Sequence, residues 1–493
     1  MKRLVSCLLL LGCTPGEGEP DLTGNAAARV EAALMHDYEM DLPRLLRTGG
    51  SWTLPARADD AVFLRRACID LAGRLPRPDE VRTFVADRTP GKRERLTDAL
   101  TREAGGAEVR FRMLAEAFRV RDEDAEMIAR LREAAVKDYP YAEIIAQMIS
   151  GGHLSRRDGG DAMRTSVETA YSVLGVDTRC AMCHDHPFSD RTEMETYEFA
   201  ACFAGKDEMR LPRDYKYPNG KPGDVVQPAL LKLSRSWRPV PRDEEKLAQV
   251  TQWITEDEVT RRFAMVAVMR VWKEMFGMPG QIIDPTMGGV DDEPSWRETR
   301  GNCFFMSRRS ATWIDLQINS PGDFSQATKV MMEEFLRCGG RIGEYQRILA
   351  RTDSYGRESI GHEYAYNGCL LPPAPQIRRL PSEVIWKTLT GENDAQLPEV
   401  PADGHPLRML GRGRREWTDE SVTPLSHEIA RFMMKSTETD KACAKAGSAE
   451  EMFLSLLGRA PTEKERTVIA HSDASNQDVA WALLNTKEFM FRP

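Results

Sequence analysis

AVFLRRACIDLAG, residues 61–73, predicts the kind of fold this chain adopts. Its apolar side chains Leu64, Cys68 and Leu71 recur at the three- and four-residue spacing of one helical face. Gly73 follows directly, in the position of a helix C-cap. Similar amphipathic stretches recur along most of the chain, with no series of alternating strands and no internal repeat. We therefore expect a mainly α fold.

The size and charge of the chain limit the classes of protein to which it can belong. With 493 residues it exceeds what one hydrophobic core usually organises, so more than one domain is expected. Its net charge is −8, from 68 basic and 76 acidic side chains without long runs of one sign. This balance argues against a nucleic-acid scaffold, and no nucleic-acid partner is expected. Beyond the N-terminus no run reaches the roughly 18 apolar residues of a membrane span.

Proline and glycine divide the helical pattern into two parts. Six prolines and two Asn-Gly or Pro-Gly turns fall between residues 211 and 241, a composition typical of an irregular connection. We predict a helical domain over residues 25–205, a linker over 206–250 and a second helical domain over 251–493. The expected architecture is thus two helical domains joined by a Pro/Gly-rich linker.

Residues 1–24 predict a lipoprotein-type signal and tether. Two basic residues precede an apolar run, residues 4–11, and Cys13 stands where a bacterial lipobox has its lipidated cysteine. Residues 14–24 are rich in Pro, Gly and Glu, as a flexible tether would be. The alternative is a plain secretory signal with an incidental cysteine. Both predict export to the cell envelope (periplasm or outer membrane), and the first adds a lipid anchor as the sole membrane attachment.

RCAMCHDHPF, residues 179–188, is the one motif that points to chemistry. Cys180, Cys183 and His184 fit the c-type haem attachment pattern. Two thiols at this spacing can reach the two vinyl groups of one haem, and the following histidine can ligate the iron. Haem c is therefore the predicted cofactor, and electron transfer by an exported protein the predicted function.

Two alternatives to haem remain open for this motif. Zinc could be bound by the two cysteines with His184 or His186, although four ligands within seven residues would be cramped. The two cysteines could instead form a local disulfide, because thiols outside the cytoplasm tend to pair. A sixth haem ligand is not identifiable, and the remaining candidates are placed by proximity in sequence alone: Met163, Met194, His153 and His186.

Patterns typical of hydrolases are absent from the sequence. His427-Glu428 begins like a zinc-protease helix, but Arg431 occupies the position of the second histidine. No Gly-x-Ser-x-Gly elbow occurs. No catalytic residue is therefore assigned, and whether the chain is an enzyme is left open.

Several segments resemble a known family. DDAVFLRR (residues 59–66), DLAGRLP (70–76) and CAMCHDHPF (180–188) resemble the planctomycete-type secreted cytochrome-like domain of unknown function. The second half is similar to the domain that usually follows it, also of unknown function, most clearly in WALLNTKEF, residues 481–489. Two departures stand out, Arg191 in place of a tryptophan and Asp323 in place of a histidine.

The resemblance implies an exported, haem-binding protein, often encoded beside genes for extracellular polymer breakdown. Its partner would be an unknown redox or extracellular protein. The competing hypothesis is a haem-free binding or scaffolding protein of a polymer-degradation system, with Cys180 and Cys183 as a disulfide.

Overall fold

The computed structural model describes residues 22–47, 53–154, 161–186, 191–232, 238–242, 245–277, 326–361, 373–418, 421 and 427–492. Cys13 and residues 187–190 of the cysteine motif lie outside this part of the chain. The described residues are mainly helical, with strands of only two residues, so the predicted fold class is confirmed.

The first half of the chain supplies helices α1 to α9, which are followed by a small β-ribbon. Their bounds are α1 Ala26–Arg47, α2 Asp60–Ala72, α3 Pro78–Ala86, α4 Lys92–Arg102, α5 Ala104–Ala117, α6 Ala125–Lys137, α7 Tyr141–Ser150, α8 Ala162–Leu174, α9 Glu193–Ala200, β1 Ala229–Leu230 and β2 Arg238–Pro239. Strands β1 and β2 pair antiparallel, with Ala229 opposite Pro239.

The second half continues with helices α10 to α21 and a second ribbon. Their bounds are α10 Lys246–Ile254, α11 Asp257–Met275, α12 Gln326–Arg337, α13 Ile342–Ala350, β3 Arg378–Arg379, α14 Ser382–Thr390, α15 Pro406–Met409, α16 His427–Lys435, α17 Thr437–Ala444, α18 Ala449–Met452, α19 Glu463–Ala470, α20 Asn476–Leu484, α21 Lys487–Met490 and β4 Phe491–Arg492. Strands β3 and β4 pair antiparallel, with Arg378 opposite Arg492.

Helix α2 forms where the sequence predicts a helix. The Asp59 carboxylate accepts a hydrogen bond from the Val62 N–H at 2.8 Å and so caps the N-terminus. At the other end Gly73 takes φ 61°, a conformation that glycine adopts without a Cβ clash, and its N–H donates to the Ile69 carbonyl. Residues 63–72 are all buried, so α2 is packed on every side.

Two large hydrophobic clusters organise the described residues. The first runs from Ala27 to Tyr355, with Leu454 added, and includes the contact of α1 with α12. The second runs from Leu380 to Phe489 and includes Ile69 of α2. Residues on both sides of the predicted linker therefore share the first cluster. The domain boundaries themselves stay a prediction, because shared packing does not test which segments fold independently.

Within the described parts of residues 206–250 the chain is folded against the first cluster. Helix α10 packs on α7, and β1 lies beside α9. Leu211, Tyr215 and Val226 form a third, small hydrophobic cluster. Met194 and Tyr197 of α9 pack against it, so this Pro/Gly-rich segment lies next to the residues that follow the cysteine motif.

A buried ionic group joins α2 to the C-terminal ribbon. The Asp70 side chain is fully buried and accepts hydrogen bonds from the Tyr355 hydroxyl, at 2.9 Å, and from the Arg492 guanidinium. Arg378 Nη2 lies 3.7 Å from the same carboxylate. The pKa of Arg378 is lowered to about 9; burial is the largest cause and Arg492 adds to it, whereas Asp70 opposes both. Asp70 is thus the negative charge that makes two buried arginines tolerable at this junction.

A second buried ion pair lies between α14 and the segment after α15. Arg412 donates to the Glu383 carboxylate at 2.7 Å, and both side chains are buried. Burial alone would raise the pKa of Glu383, but Arg412 and Arg112 lower it to about 2. None of the helices in the described residues is both long enough and apolar enough to cross a membrane.

Candidate functional site

The cysteine motif begins just after the end of α8. Gly175 takes φ 62° and ends the helix, with its N–H bonded to the Tyr171 carbonyl at 3.2 Å. The chain then makes a single 3-10 turn, Cys180–Met182, in which Ala181 is fully buried and its N–H donates to the Thr178 carbonyl at 3.0 Å. The buried alanine anchors the turn and leaves the two flanking cysteines at the surface.

Cys180 and Cys183 are both exposed, and they are not joined in a disulfide. The Cys183 N–H lies 3.4 Å from the Cys180 carbonyl, which closes the turn between them. Both sulfurs are therefore accessible thiols on one short turn. This is the state that thioether formation requires.

The other described cysteines differ in environment. Burial raises the pKa of the Cys68 and Cys202 thiols to about 12 and that of Cys338 to about 11. Burial also raises the pKa of Cys443. Because a thiol reacts through its thiolate, these four cysteines are poor nucleophiles. Cys180 and Cys183 are the exposed thiols of the described residues.

His184 is exposed and carries one hydrogen bond in the described structure. Its Nδ1 lies 2.8 Å from the backbone carbonyl of Asp185. A carbonyl oxygen can only accept, so Nδ1 carries the proton when the ring is neutral, and Nε2 presents its lone pair. Metal-ligating histidines commonly donate their second N–H to a carbonyl in this way.

Asp185 connects the motif to two neighbouring elements. Its N–H donates to the Tyr217 hydroxyl at 2.7 Å. Its Oδ1 accepts the Glu193 N–H at 2.8 Å, at the first residue of α9. A carboxylate there satisfies an N–H that the helix leaves open and lies at the positive end of the helix dipole. The turn is thus held both by α9 and by the segment that the sequence predicts to be a linker.

His186 and Arg191 close the far side of the motif loop. The His186 N–H donates to the Arg191 carbonyl at 2.8 Å. The Arg191 guanidinium reaches Glu195 Oε1 at 2.7 Å and the Lys232 carbonyl at 2.6 Å. Glu195 Oε1 also accepts the Lys232 N–H at 2.7 Å. Arg191, where the resemblance in sequence would place a tryptophan, therefore links the chain just before α9 to the residues after β1.

Negative charge collects around the turn. Glu193 is buried, and burial, then Asp214 and Asp185, raise its pKa, whereas Lys216 and His184 lower it. The pKa of the half-buried Tyr197 is raised by burial and then by Glu193 and Cys183. These carboxylates favour positive charge at the exposed edge of the turn.

The candidate sixth ligands lie at different distances from the motif. Met163 is in the first turn of α8, roughly 17 Å along the helix axis from its motif end. His153 is buried beyond the end of α7. Met194 is half-buried in α9 and packs on the small cluster that contains Tyr215. Of these three residues, the structure brings only Met194 into the surroundings of the turn.

The remaining predicted site features are not gathered into a metal centre. In the part of the chain that the structure describes, no three His, Cys, Asp or Glu side chains are arranged to hold a metal ion. Zinc binding by the cysteines with His184 or His186 stays a prediction. Tyr217 and Asp185 are the participants that sequence reasoning missed. Nothing in the spacing of the segment around Tyr217 signals that its hydroxyl meets a backbone N–H 32 residues away.

Comparison with known proteins gives one match. Residues 48–171 match the model of a family described as PSCyt2, protein of unknown function (DUF1549). No curated protein and no solved structure matches the chain. The matched range ends before Cys180, so it covers helices α2 to α7 and most of α8 but not the cysteine motif. Residues 48–171 therefore carry a domain of unknown function, while its planctomycete type and the partner domain stay predictions.

Proposed function

We propose that this chain is an exported c-type haem protein that transfers electrons. One observation carries the proposal: two exposed, unjoined thiols directly precede an exposed histidine whose Nδ1 is held by a carbonyl. Cys180 and Cys183 would hold the porphyrin through thioether bonds, and His184 would ligate the iron through Nε2. The bound haem would supply a one-electron redox centre, which the side chains of the protein cannot provide.

The residues around the turn have defined tasks under this proposal. The Asp185 carbonyl would orient the His184 ring by accepting a hydrogen bond from Nδ1–H. Asp185 and Asp214 lie close enough to Glu193 to raise its pKa, and negative charge from these carboxylates would favour the more positive oxidation state of a bound iron. Met194 would be available as a further iron ligand, since it packs with the cluster beside the turn.

A pyridine haemochrome spectrum tests the proposal directly. The chain is exported from a host that has c-type haem maturation and is compared with a Cys180→Ser, Cys183→Ser double variant. A reduced α-band that survives denaturation in the parent and is lost in the variant is the expected result. A Cys338→Ser, Cys443→Ser variant is the matched control, because it also removes two cysteines yet should keep the band.

Absence of the band in the parent would overturn the haem proposal. If the two motif thiols were then unreactive until reduced, the protein would be a disulfide-containing binding or scaffolding protein of a polymer-degradation system. If one zinc ion per chain were found instead, and lost in the double variant, the motif would be a zinc site.

His184 can be tested separately from covalent attachment. His184→Ala should retain the haemochrome band, because both thioethers remain, but should change the visible spectrum of the native protein through loss of the axial ligand. His471→Ala is the matched control. His471 is also exposed, and its Nδ1 also lies 2.8 Å from a backbone carbonyl. An unchanged spectrum in His184→Ala would refute its role as a ligand.

We further propose that Cys13 is lipidated and anchors the protein in the cell envelope. The support is the sequence alone: a basic start, an apolar run and the Leu-Leu-Gly-Cys ending. Labelled palmitate should enter the parent chain and not a Cys13→Ser variant, and only the parent should sediment with membranes. Equal labelling of both would exclude a lipid anchor at this position.

A further inference from the structure

The segment that the sequence predicts to be a linker contributes a side chain to the motif. Leu211, Tyr215 and Val226 bury one another and hold the intervening chain against α9. Tyr217 is half-buried in this arrangement, and its ring meets that of Tyr215 edge to face, with centroids 5.6 Å apart. Packing therefore fixes the position of the Tyr217 hydroxyl before any ligand is considered.

Hydrogen bonds fix the orientation of both peptide groups that flank the Cα of Asp185. The peptide between His184 and Asp185 is held through its N–H, which donates to the Tyr217 hydroxyl at 2.7 Å. The next peptide is held at both ends: its carbonyl accepts from His184 Nδ1 at 2.8 Å, and its N–H donates to the Arg191 carbonyl at 2.8 Å. With both planes fixed, the backbone dihedrals of Asp185 have little freedom.

The orientation of the His184 ring depends on this arrangement. The ring is exposed, so packing does not fix it, and its one described hydrogen bond is to the Asp185 carbonyl. If the first peptide turns, His184 moves relative to the Asp185 carbonyl of the second peptide, and the proton of a neutral ring is no longer held on Nδ1. The Tyr217 hydroxyl restrains the N–H of the first peptide, while the Glu193 N–H holds the Asp185 side chain.

We propose that Tyr217 is a positioning residue that sets the tautomer and direction of His184, so that Nε2 points outward as a ligand. That Nε2 binds iron rests on the proposed function, whereas the claim that Tyr217 sets the His184 tautomer does not depend on it. The two can therefore be tested separately. With this orientation, Nε2 can donate its lone pair to a metal that binds neutral imidazole, and haem iron is the metal expected here.

The first experiment measures the tautomer in the full chain without haem. The Cys180→Ser, Cys183→Ser protein is labelled with ¹⁵N in its histidines, and the ring nitrogen shifts are recorded at about pH 8.5, above the usual titration range of imidazole. His184→Ala identifies the signal. We expect the Nδ1–H form to be the main form. Adding Tyr217→Phe should shift the population toward the Nε2–H form and leave the other histidines unchanged.

Tyr215→Phe is the matched control. It also removes one phenolic hydroxyl from the same cluster, but that hydroxyl donates to Asn219 and not to the turn. It should leave the His184 tautomer unchanged. A main Nε2–H form in the starting protein, no shift in Tyr217→Phe, or an equal shift in Tyr215→Phe would each overturn the proposal.

A second measurement applies even if Tyr217→Phe does not fold. Amide exchange of Asp185 in the unmodified chain should be slower than in an unstructured peptide, because its N–H is bonded to a half-buried hydroxyl. Exchange at the unstructured rate would overturn the proposal. In the haem-loaded protein, Tyr217→Phe should change the reduction potential, since the hydrogen bond that orients the ligating imidazole would be lost. A haem-free parent refutes the proposed function and leaves the tautomer result standing.

Discussion

Replacement of Asp70 by asparagine tests whether the buried charge at the junction of α2 and the C-terminal ribbon holds the two parts together. Asparagine keeps the shape and one acceptor oxygen but removes the negative charge. The Arg492 guanidinium would lose its partner, and Arg378 would lose the charge that opposes the lowering of its pKa. Breaking a buried ion pair by neutralising one partner costs about 3–5 kcal/mol.

Asp60 provides the comparison within the same helix. It also pairs with two cations, with Lys92 at 2.6 Å and Arg93 at 2.9 Å, but its side chain is 25% exposed, whereas that of Asp70 is 0% exposed. Solvent screening reduces such a pair to about 0–1 kcal/mol, so Asp60→Asn should change stability little.

Urea unfolding followed by circular dichroism measures both variants. Asp70→Asn should move the first unfolding transition to lower urea by the equivalent of about 3–5 kcal/mol, and a protease should then cut sooner between the two hydrophobic clusters. Equal urea midpoints for Asp70→Asn and Asp60→Asn would show that the buried charge of Asp70 stabilises the fold no more than the partly exposed charge of Asp60. The reasoning about this junction would then be refuted.

Three further changes have expected outcomes. Glu383→Gln should lower the free energy of unfolding by about 3 kcal/mol at neutral pH. Because the pKa of Glu383 is lowered to about 2, the stability difference between parent and variant should be complete above pH 4.5 and should disappear as the pH falls toward 2, which unfolding measured at a series of acid pH values would show. Gly105→Ala should lower the melting temperature despite the better helix propensity of alanine, because the new Cβ would collide with the Ala72 carbonyl. Gly447→Ala should not, because its Cβ would make only an ordinary contact with the Glu451 Cβ at 3.9 Å. Thr462→Ala should cost about 1 kcal/mol in urea unfolding by loss of a helix N-cap, and no change would contradict the capping bond.

The helical class could be predicted from local pattern, but the arrangement of the helices could not. The spacing of Leu64, Cys68 and Leu71 shows that α2 has an apolar face, and Gly73 shows where the helix ends. The pattern does not show that the opposite face is also buried, because Arg65 and Arg66 look like solvent-exposed residues. Their guanidinium groups instead donate to backbone carbonyls of distant segments.

The candidate site can be found from the sequence only in part. Residue types and spacing single out Cys180, Cys183 and His184 as the residues that a c-type haem would need. The partner of the next residue could not be found in this way. Prolines around Tyr217 predict that the segment is not helical, but they do not say whether it is solvated or packed. Burial of Leu211 and Val226 decides that question, and their irregular spacing carries no periodic signal.

The junction at Asp70 also has a consequence for the order of events during synthesis. Asp70 and Arg492 are 422 positions apart in the chain. At about 5–20 residues per second a ribosome takes roughly 20–80 s to make that stretch. Until Arg492 is made, the Asp70 carboxylate lacks its hydrogen-bonded cation, and until the residues from Leu380 onward are made, Ile69 lacks its cluster. The packing of α2 is therefore completed only when the end of the chain has been synthesised.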